Sequence, residues 1–557
     1  MKHIISILII ASAAMQSAAQ DLSKEITVDR VVATEQKSVL KPTLMPTLVE
    51  TGSEDVTLAP AEYLQPGTIT NALKKLSAAA WADSIARTPY RGYASLGYFP
   101  ALNLGVNAGY RIIDKENLTL GAWAQYNGAQ YKSDGVKMRN NYITADIYGA
   151  WRPNEDSRLS IDAMYDFSSI LHPSWVDEAN NYTRSTNAFK GYAQWSSRVS
   201  DFIYKVGFGG SIFKFGNAKA TFKDPQGNEF MPVKETSVKF DAMVGYVLGG
   251  HPLALDVDGQ FLTSNAPNAG TLGQIQLKPN YTIEWRGFNF RLGANVGFGT
   301  GYADKKVTIA PDVRIDWAPK KSIIAAYLNL TGGQQLNPLS GIYAQDAYCS
   351  PFISYMRSNI PISAEAGVNF GTVAGFSFGL FGGWAYAKDW LMPVLNFGAT
   401  SIPSLPIWAS AYGGTAYASC NVKSWQAGLR LSYEYGTLIK VSGMVATAGS
   451  NDANATWYAW LDRAKYVADA SLRVTPIDPL DIEVAYSLRA CRKAVAPKGE
   501  TVNLGNISNL SVGASYRITP ALTVFARVEN ILNRHPLLIS GLPGQGICGA
   551  IGVAYKF

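Results

Sequence analysis

The chain has 557 residues, with 49 Lys and Arg against 42 Asp and Glu, a formal net charge of +7. Only 16% of its residues are charged, where a soluble domain carries about a quarter, while 12% are aromatic and 51 are Gly. The positive charge is spread thinly without a basic run, which argues against nucleic acid as a partner.

The first 19 residues read as a secretory signal peptide. Lys2 and His3 form a polar start, Ile4 to Ala14 an apolar core, and Ser17-Ala18-Ala19 a small-residue cleavage site before Gln20. The apolar run is too short to cross a bilayer, and no later window approaches 18 uninterrupted apolar residues, so helical spans are not expected. Residues 20–88 read as a short, irregular periplasmic amino-terminal segment. It carries Pro42, Pro46 and Pro60 and an acidic stretch from Glu50 to Asp55. Within it, Leu73, Leu76, Ala80 and Ile85 have the spacing of one short amphipathic helix.

From residue 89 to 557 the pattern changes to period two. Leu255, Val257 and Phe261 alternate with Asp256, Asp258 and Gln260; Trp425 to Tyr435 and Ile275 to Trp285 alternate in the same way. Short turns are expected near 114–117, 153–156, 198–201, 249–252, 286–287, 319–321, 373–375, 436–437, 476–479 and 519–520. Most of them follow an aromatic residue: Tyr110, Trp151, Trp195, Tyr246, Trp285, Trp317, Tyr435 or Tyr516. Rings at a fixed distance from tight turns are what the girdle at a membrane–water interface requires. Longer, irregular connections near 168–184, 214–236, 331–361, 389–421 and 491–505 fit the external side. Ten hairpins, an opening strand at Tyr90 to Phe99 and a closing strand give about 22 strands. The fold class is therefore all-β, a transmembrane antiparallel β-barrel in the cell outer membrane of a Gram-negative cell, in contact with its lipid.

No catalytic, cofactor or metal site is readable, and the chain does not look like an enzyme. The His residues at 3, 172, 251 and 535 read as signal, loop or turn residues without metal-ligand spacing. Asp256 and Asp258, and Glu434 with Arg430, read as charges lining a wet lumen. Cys349, Cys420, Cys491 and Cys548 all fall on the external side, in an oxidising compartment, and neighbouring loops favour the pairs Cys349–Cys420 and Cys491–Cys548 among the three pairings four cysteines allow. The stretch from Leu391 to Ala411 is too apolar to stand free in water, and is expected to pack into the barrel mouth or against a partner.

The end of the chain is the most specific segment. Ile547, Gly549, Ile551, Val553, Tyr555 and Phe557 share one strand face, while Cys548, Ala550, Gly552, Ala554 and Lys556 share the other. Upstream stand Arg517-Ile518-Thr519-Pro520, Leu522-Thr523-Val524-Phe525-Ala526-Arg527-Val528-Glu529-Asn530-Ile531-Leu532-Asn533-Arg534 and Gly541-Leu542-Pro543-Gly544. In this order of turn, strand, Glu-Asn-hydrophobic-Leu-Asn, loop and final strand, the segment resembles the carboxy-terminal end of TonB-dependent receptors. The resemblance implies a 22-stranded barrel, import of a solute of unidentified kind, and a closing strand whose Tyr555 and Phe557 the barrel assembly machinery reads. It also implies a TonB-contacting segment, which Glu25, Ile26, Thr27, Val28 and Asp29 resemble. Residues 20–88 are shorter than the plug domain of that family and read as a degenerate plug or linker. TonB and a surface lipoprotein are the implied partners. The alternative is a scaffold or binding barrel of an envelope complex that transports nothing.

Overall fold

The computed structural model describes residues 90–557, apart from 100–102, 173–181, 217–232, 266–269, 302–306, 320–321, 351–356, 395–414, 451–463, 496–500 and 538–541. The expected signal at 1–19, the segment at 20–88 with Glu25–Asp29, and most of Leu391 to Ala411 lie outside the described residues.

The wall begins with β1 (Gly92–Phe99), β2 (Asn103–Asp114), β3 (Leu118–Ser133), β4 (Val136–Asn154), β5 (Ser157–His172) and β6 (Tyr182–Val199). It continues through β7 (Phe202–Phe215), β8 (Lys234–Leu248), β9 (His251–Ser264), β10 (Thr271–Trp285), β11 (Phe288–Thr300), β12 (Val307–Trp317) and β13 (Ile324–Leu336). A helix, α1 (Leu339–Gln345), precedes β14 (Arg357–Val373), β15 (Phe376–Val394), β16 (Ala416–Tyr435), β17 (Ile439–Ser450), β18 (Tyr466–Ile477) and β19 (Leu480–Ala490). A separate small hairpin, β20 (Lys493–Val495) and β21 (Thr501–Asn503), leads to β22 (Ile507–Arg517), β23 (Leu522–Glu529) and β24 (Cys548–Lys556).

Apart from that small hairpin, the strands form one 22-stranded sheet, in which each pairs antiparallel with its neighbour in the chain. β1 and β24 close it into a cylinder, with Tyr93 opposite Lys556 and Tyr98 opposite Ile551. Beyond this ladder Arg91 and Gly92 N–H both donate to Phe557 O at 2.8 Å, and Phe557 N–H returns to Gly92 O at 2.9 Å. Only glycine fits beside that ring: a Cβ on Gly92 would lie 2.4 Å from Phe557.

All ten short turns read from the sequence are strand reversals at one end of the barrel. The tightest, Gly249-Gly250, Arg286-Gly287 and Ala374-Gly375, have both central residues at positive φ, the geometry whose twist matches antiparallel strands. The opposite end is less uniform than expected. β3 and β4 join there through an equally tight turn, Asp134-Gly135, with φ of 47° and 84°. The expected 331–361 loop is also shorter, because β13 and β14 extend into it on both sides.

Alternation sorts the two faces. On β7, Phe202, Val206, Phe208 and Ile212 point outward and are exposed, whereas Phe213 and Phe215 point into the lumen and are buried. From Phe202 to Ile212 the strand rises about 33 Å, or roughly 25 Å along the barrel axis at a tilt of about 40°, the height of the apolar band a bilayer needs. At the short-turn end, rings of neighbouring strands lie close: on adjacent strands Phe202 and Tyr246 at 4.7 Å between centroids and Phe288 and Trp317 at 6.1 Å, and across one intervening strand Trp151 and Trp195 at 6.5 Å and Tyr110 and Phe557 at 6.2 Å. This is the aromatic girdle read from the sequence.

Leu431 and Ile551 are exposed on the outer face, and Ser432 and Ser487 lie on the opposite, lumen face of their strands. Leu431→Arg or Ile551→Arg is expected to cost about 2–4 kcal/mol at mid-membrane depth, and Ser432→Arg or Ser487→Arg far less. Denaturant titration of the barrel refolded in lipid vesicles measures the difference; equal losses on both faces would refute the assigned register.

Candidate functional site: the lumen and its roofed mouth

Strands about 4.8 Å apart and tilted by about 40° put 22 of them on a cylinder roughly 40 Å across. Wall side chains cannot fill that width, so they line a lumen. Their chemistry is charged and internally paired. Lys278 meets Asp258, Asn280 Nδ2 donates to Asp256 Oδ2 at 3.0 Å, and Arg291 Nη2 lies 3.1 Å from Asp312 and 3.6 Å from Asp256. The band continues with Arg314 and Asp316 at 2.7 Å, the Tyr327 hydroxyl donating to Glu365 at 2.8 Å, and Arg489 on Asp469 at 2.8 Å. Glu434 pairs with Lys440, while Arg430 lies 4.2 Å above the Phe381 ring. The carboxylates singled out in the sequence therefore belong to a lumen wall, and each faces a cation or an amide. Among the described residues no group of three or more His, Cys, Asp and Glu side chains converges as a metal site would.

The mouth at the long-loop end is roofed from within. The connection after β13 turns into the barrel instead of rising from it. Pro338 starts α1, and Leu339 and Ile342 bury themselves against inward-facing Phe213 and Phe215 of β7, Leu262 of β9 and Leu272 of β10. Tyr348, just beyond the helix, packs on Met138 of β4, Ile170 of β5 and Leu542 of the last loop. The segment thus reaches wall strands eight or nine positions around the cylinder from its own roots. Leu391 and Tyr417, at the bases of the 389–421 loop, join the same apolar cluster.

Polar contacts fix the segment in place. Glu235, buried on β8, accepts the Leu339 N–H, the Ser340 N–H at 3.4 Å and the Ser340 hydroxyl at 3.2 Å, so one carboxylate satisfies donors of the first helical turn. Arg184 Nη2 donates to Ala347 O at 2.9 Å, the Tyr343 and Ser168 hydroxyls meet, and the Tyr348 hydroxyl reaches Asn140 at 3.3 Å. Ser350 N–H donates to the O of Thr415, the residue ahead of β16, and Thr415 N–H donates to Tyr348 O, each at 2.9 Å. Asp346 accepts the Tyr348 N–H at 3.0 Å and sits fully inside the cluster, where burial raises its pKa above the ordinary carboxylate value despite Arg184 nearby. None of this was visible in the sequence: seven residues are too few to show helical periodicity, and the one clue was the set of apolar residues Leu339, Ile342, Tyr343 and Tyr348 in a connection between strands.

The cysteines differ from expectation. Cys349, Cys491 and Cys548 are free thiols, so neither Cys349–Cys420 nor Cys491–Cys548 is formed. Cys491 follows β19 and Cys548 opens β24, with β22 and β23 between them; three strand spacings make about 14 Å, twice the span a disulfide bridges. Cys349 bridges Thr415, and the extended chain from there carries the backbone of Cys420 about 16 Å away. Burial pushes the Cys349 thiol pKa up, which leaves it unreactive. The histidines also differ in part: His172 is buried with its ring 5.1 Å from Tyr348, His251 opens β9, and His535 lies in a loop, 3.1 Å from Asp134.

No family description matches the sequence, and no curated protein resembles it. Solved structures do resemble its fold. The FrpB iron transporter of Neisseria meningitidis superposes with a TM-score of 0.63 at 13% identity over 84% of this chain and 82% of that one. A mutant of the ferric enterobactin receptor PfeA of Pseudomonas aeruginosa gives 0.60 at 10% identity over 84% and 80%. FpvA of Pseudomonas aeruginosa, bound to a pyoverdine, gives 0.59 at 13% identity over 84% and 72%. The architecture of this chain is that of the barrels of TonB-dependent receptors.

Proposed function

We propose that the protein is an outer-membrane transport barrel that passes a polar solute, and that the inward-folded segment 337–350 is its gate on the cell exterior. The supporting observation is the pairing of a lumen too wide for its walls to fill with a segment docked across its mouth by contacts to wall strands on the far side. In this reading the short-turn end is periplasmic and the long-loop end external. A solute entering from outside meets the roof first and the charged band of Lys278, Arg291 and their partners next. A polar or charged cargo matches that lining. A periplasmic partner such as TonB would engage the chain ahead of the barrel, with Glu25–Asp29 as the segment to pair with it.

Planar-bilayer recording tests the gate. Replacing residues 338–348 by a Gly-Ser linker is expected to raise single-channel conductance above that of the intact barrel. If the intact barrel and the replaced one are equally silent although folded, passage is not its role and the scaffold reading takes its place. A tag inserted in the turn at 155 should stay inaccessible on intact cells, and labelling there would invert the orientation.

Two side chains report on the lock. Glu235→Ala removes a charged acceptor from buried donors; at about 2 kcal/mol it should shift the docked to undocked ratio roughly thirtyfold toward undocked, seen as more frequent openings. Asp346 adds a pH dependence. Its pKa is raised in the docked state, so its contribution to docking is complete below the ordinary carboxylate pKa and is lost as pH rises through the raised value. Openings should therefore become more frequent with rising pH, and Asp346→Asn should flatten that dependence.

A further inference from the structure

β12 is paired along its whole length on one side and along less than half of it on the other. Against β11 the ladder runs from Trp317 opposite Phe288 to Val307 opposite Phe298. Against β13 it stops at Val313 opposite Leu330. Among the described residues no strand pairs with the β13 side of Val307–Asp312. These rows lie within the bilayer: from Trp317 in the short-turn girdle to Val307 the strand climbs about 33 Å, or roughly 25 Å along the barrel axis. Val307 and Ile309 are exposed on the outer face. Unpaired backbone at that depth has no water to bond and is tolerated only where protein backs it.

Behind this edge stands the outer half of β13, which has left the wall. A Cβ on Gly332 would lie 2.7 Å from that of Ala310, on the lumen side of β12. Beyond Gly332 the strand crosses the inner faces of β11 and β10. Asn295 Nδ2 donates to Gly332 O at 2.8 Å, and Gln276 Nε2 to Gln334 O at 3.0 Å. β14 follows, paired from Ile360 opposite Gly333 to Arg357 opposite Leu336. Arg357 Nη2 then donates to Gly273 O at 2.6 Å and to Thr300 O at 2.5 Å. This inner berth is polar and imperfectly satisfied. Gln334 Oε1, Asn295 Oδ1, Thr308 Oγ1 and both Nε and Nη1 of Arg357 are buried without a hydrogen-bond partner. Each such group weakens the docked arrangement.

The edge matches the strand that left it. Continuing the ladder from Val313 and Leu330 sets Asp312 opposite Thr331 and Val307 opposite Leu336, so the two strands end together. In that register Leu336 would join Val307 on the outer face, Thr331 and Gln335 would face the lumen, and Gln334 would meet Ile309 near the headgroups. A hinge is in place, because β13 changes register with β14 between Thr331 and Gly333, and Gly333 has a φ of 145°. Pro311 keeps the two arrangements close in stability. Ala318 N–H donates to Gly287 O, which sets the phase of the β11–β12 ladder and turns the nitrogen of Pro311 toward the β13 side. With no N–H there, the open edge is less costly and the ladder that would close it is weaker.

We propose that the outer half of β13, with the part of β14 paired to it, exchanges between this inner berth and the open edge of β12, and that the exchange opens the gate. The proposal rests on the gate reading above, since α1 follows directly from β13 and is drawn from the mouth when β13 returns to the wall. In the berth the mouth is roofed and a wall edge is unpaired; in the wall the edge is satisfied and the roof withdrawn. Arg357 is the latch, because its bonds to Gly273 and Thr300 exist only in the berth.

Cysteine crosslinking of the full-length barrel in lipid vesicles, with its four native cysteines replaced by alanine, reads the two positions. Gly297→Cys with Gln334→Cys reports the berth, where a Cβ at 297 lies 3.1 Å from the Gln334 side chain. Ile309→Cys with Gln334→Cys reports the wall, where their Cα atoms would stand about 5.5 Å apart, within reach of a disulfide. In the berth those two side chains lie on opposite faces of the wall. Both pairs should crosslink under mild oxidation. Gly299→Ala places a Cβ 1.8 Å from Arg357 Nη1 and should evict the latch, raising the yield of 309–334 over 297–334 about tenfold. In planar bilayers the 309–334 crosslink should conduct and the 297–334 crosslink should be silent. Crosslinking at 297–334 alone, with and without Gly299→Ala, in barrels that heat-modifiable gel mobility shows to be folded, would overturn the exchange. Crosslinking of both pairs with equal conductance would uphold the exchange and overturn the gate reading beneath it.

Discussion

A backbone polar group that faces hydrocarbon has no water to bond, and the whole architecture follows from that. An open sheet would leave two rows of unpaired N–H and C=O groups in lipid, each costing several kcal/mol. The chain avoids this by pairing its first described strand with its last. The seam between β1 and β24, extended by the reciprocal bonds between Gly92 and Phe557, leaves the wall with no free terminal strand. Glycines permit the close approach there: a Cβ on Gly552 would fall 2.1 Å from Leu96 O.

Closure at 22 strands has a cost of its own, since a cylinder that wide cannot be packed by its wall. Small barrels fill their interior with side chains; this one pairs its inward charges along the wall and leaves the middle for something else. Within the described residues, a loop that surrenders its solvent contacts docks inside the mouth. That arrangement places a buried carboxylate, Glu235, under a short helix, and a second one, Asp346, in an apolar cluster. Glu235 is compensated there by the helix donors it accepts, whereas the burial of Asp346 raises its pKa and sets its charged form against docking.

The wall was legible in the sequence and the roof was not, for one physical reason. Alternation between lipid and lumen is enforced at every residue of every strand, so Leu429 and Leu431 against Arg430 and Ser432 declare their faces locally. Turns obey equally local rules, and the glycines at 250, 287 and 375 sit where positive φ is needed. The docking of α1 depends on residues a hundred or more positions away, such as Glu235 and Arg184, and no local pattern announces such a contact. The cysteines failed for the same reason. Assigning all four to one side was a local inference, whereas pairing them required knowing that β22 and β23 separate Cys491 from Cys548.

The seam has a kinetic consequence. Every other pairing in the wall joins strands adjacent in the chain, so hairpins can form with short loop closures and little entropy lost. The β1–β24 ladder joins residues more than 450 positions apart, and its strands are among the shortest in the wall, eight and nine residues. Contacts of such high sequence separation set the slowest step of β-sheet folding. A nascent barrel will therefore exist as a curved sheet with two unsatisfied edges until those short strands meet. Its susceptibility to aggregation is concentrated in that interval.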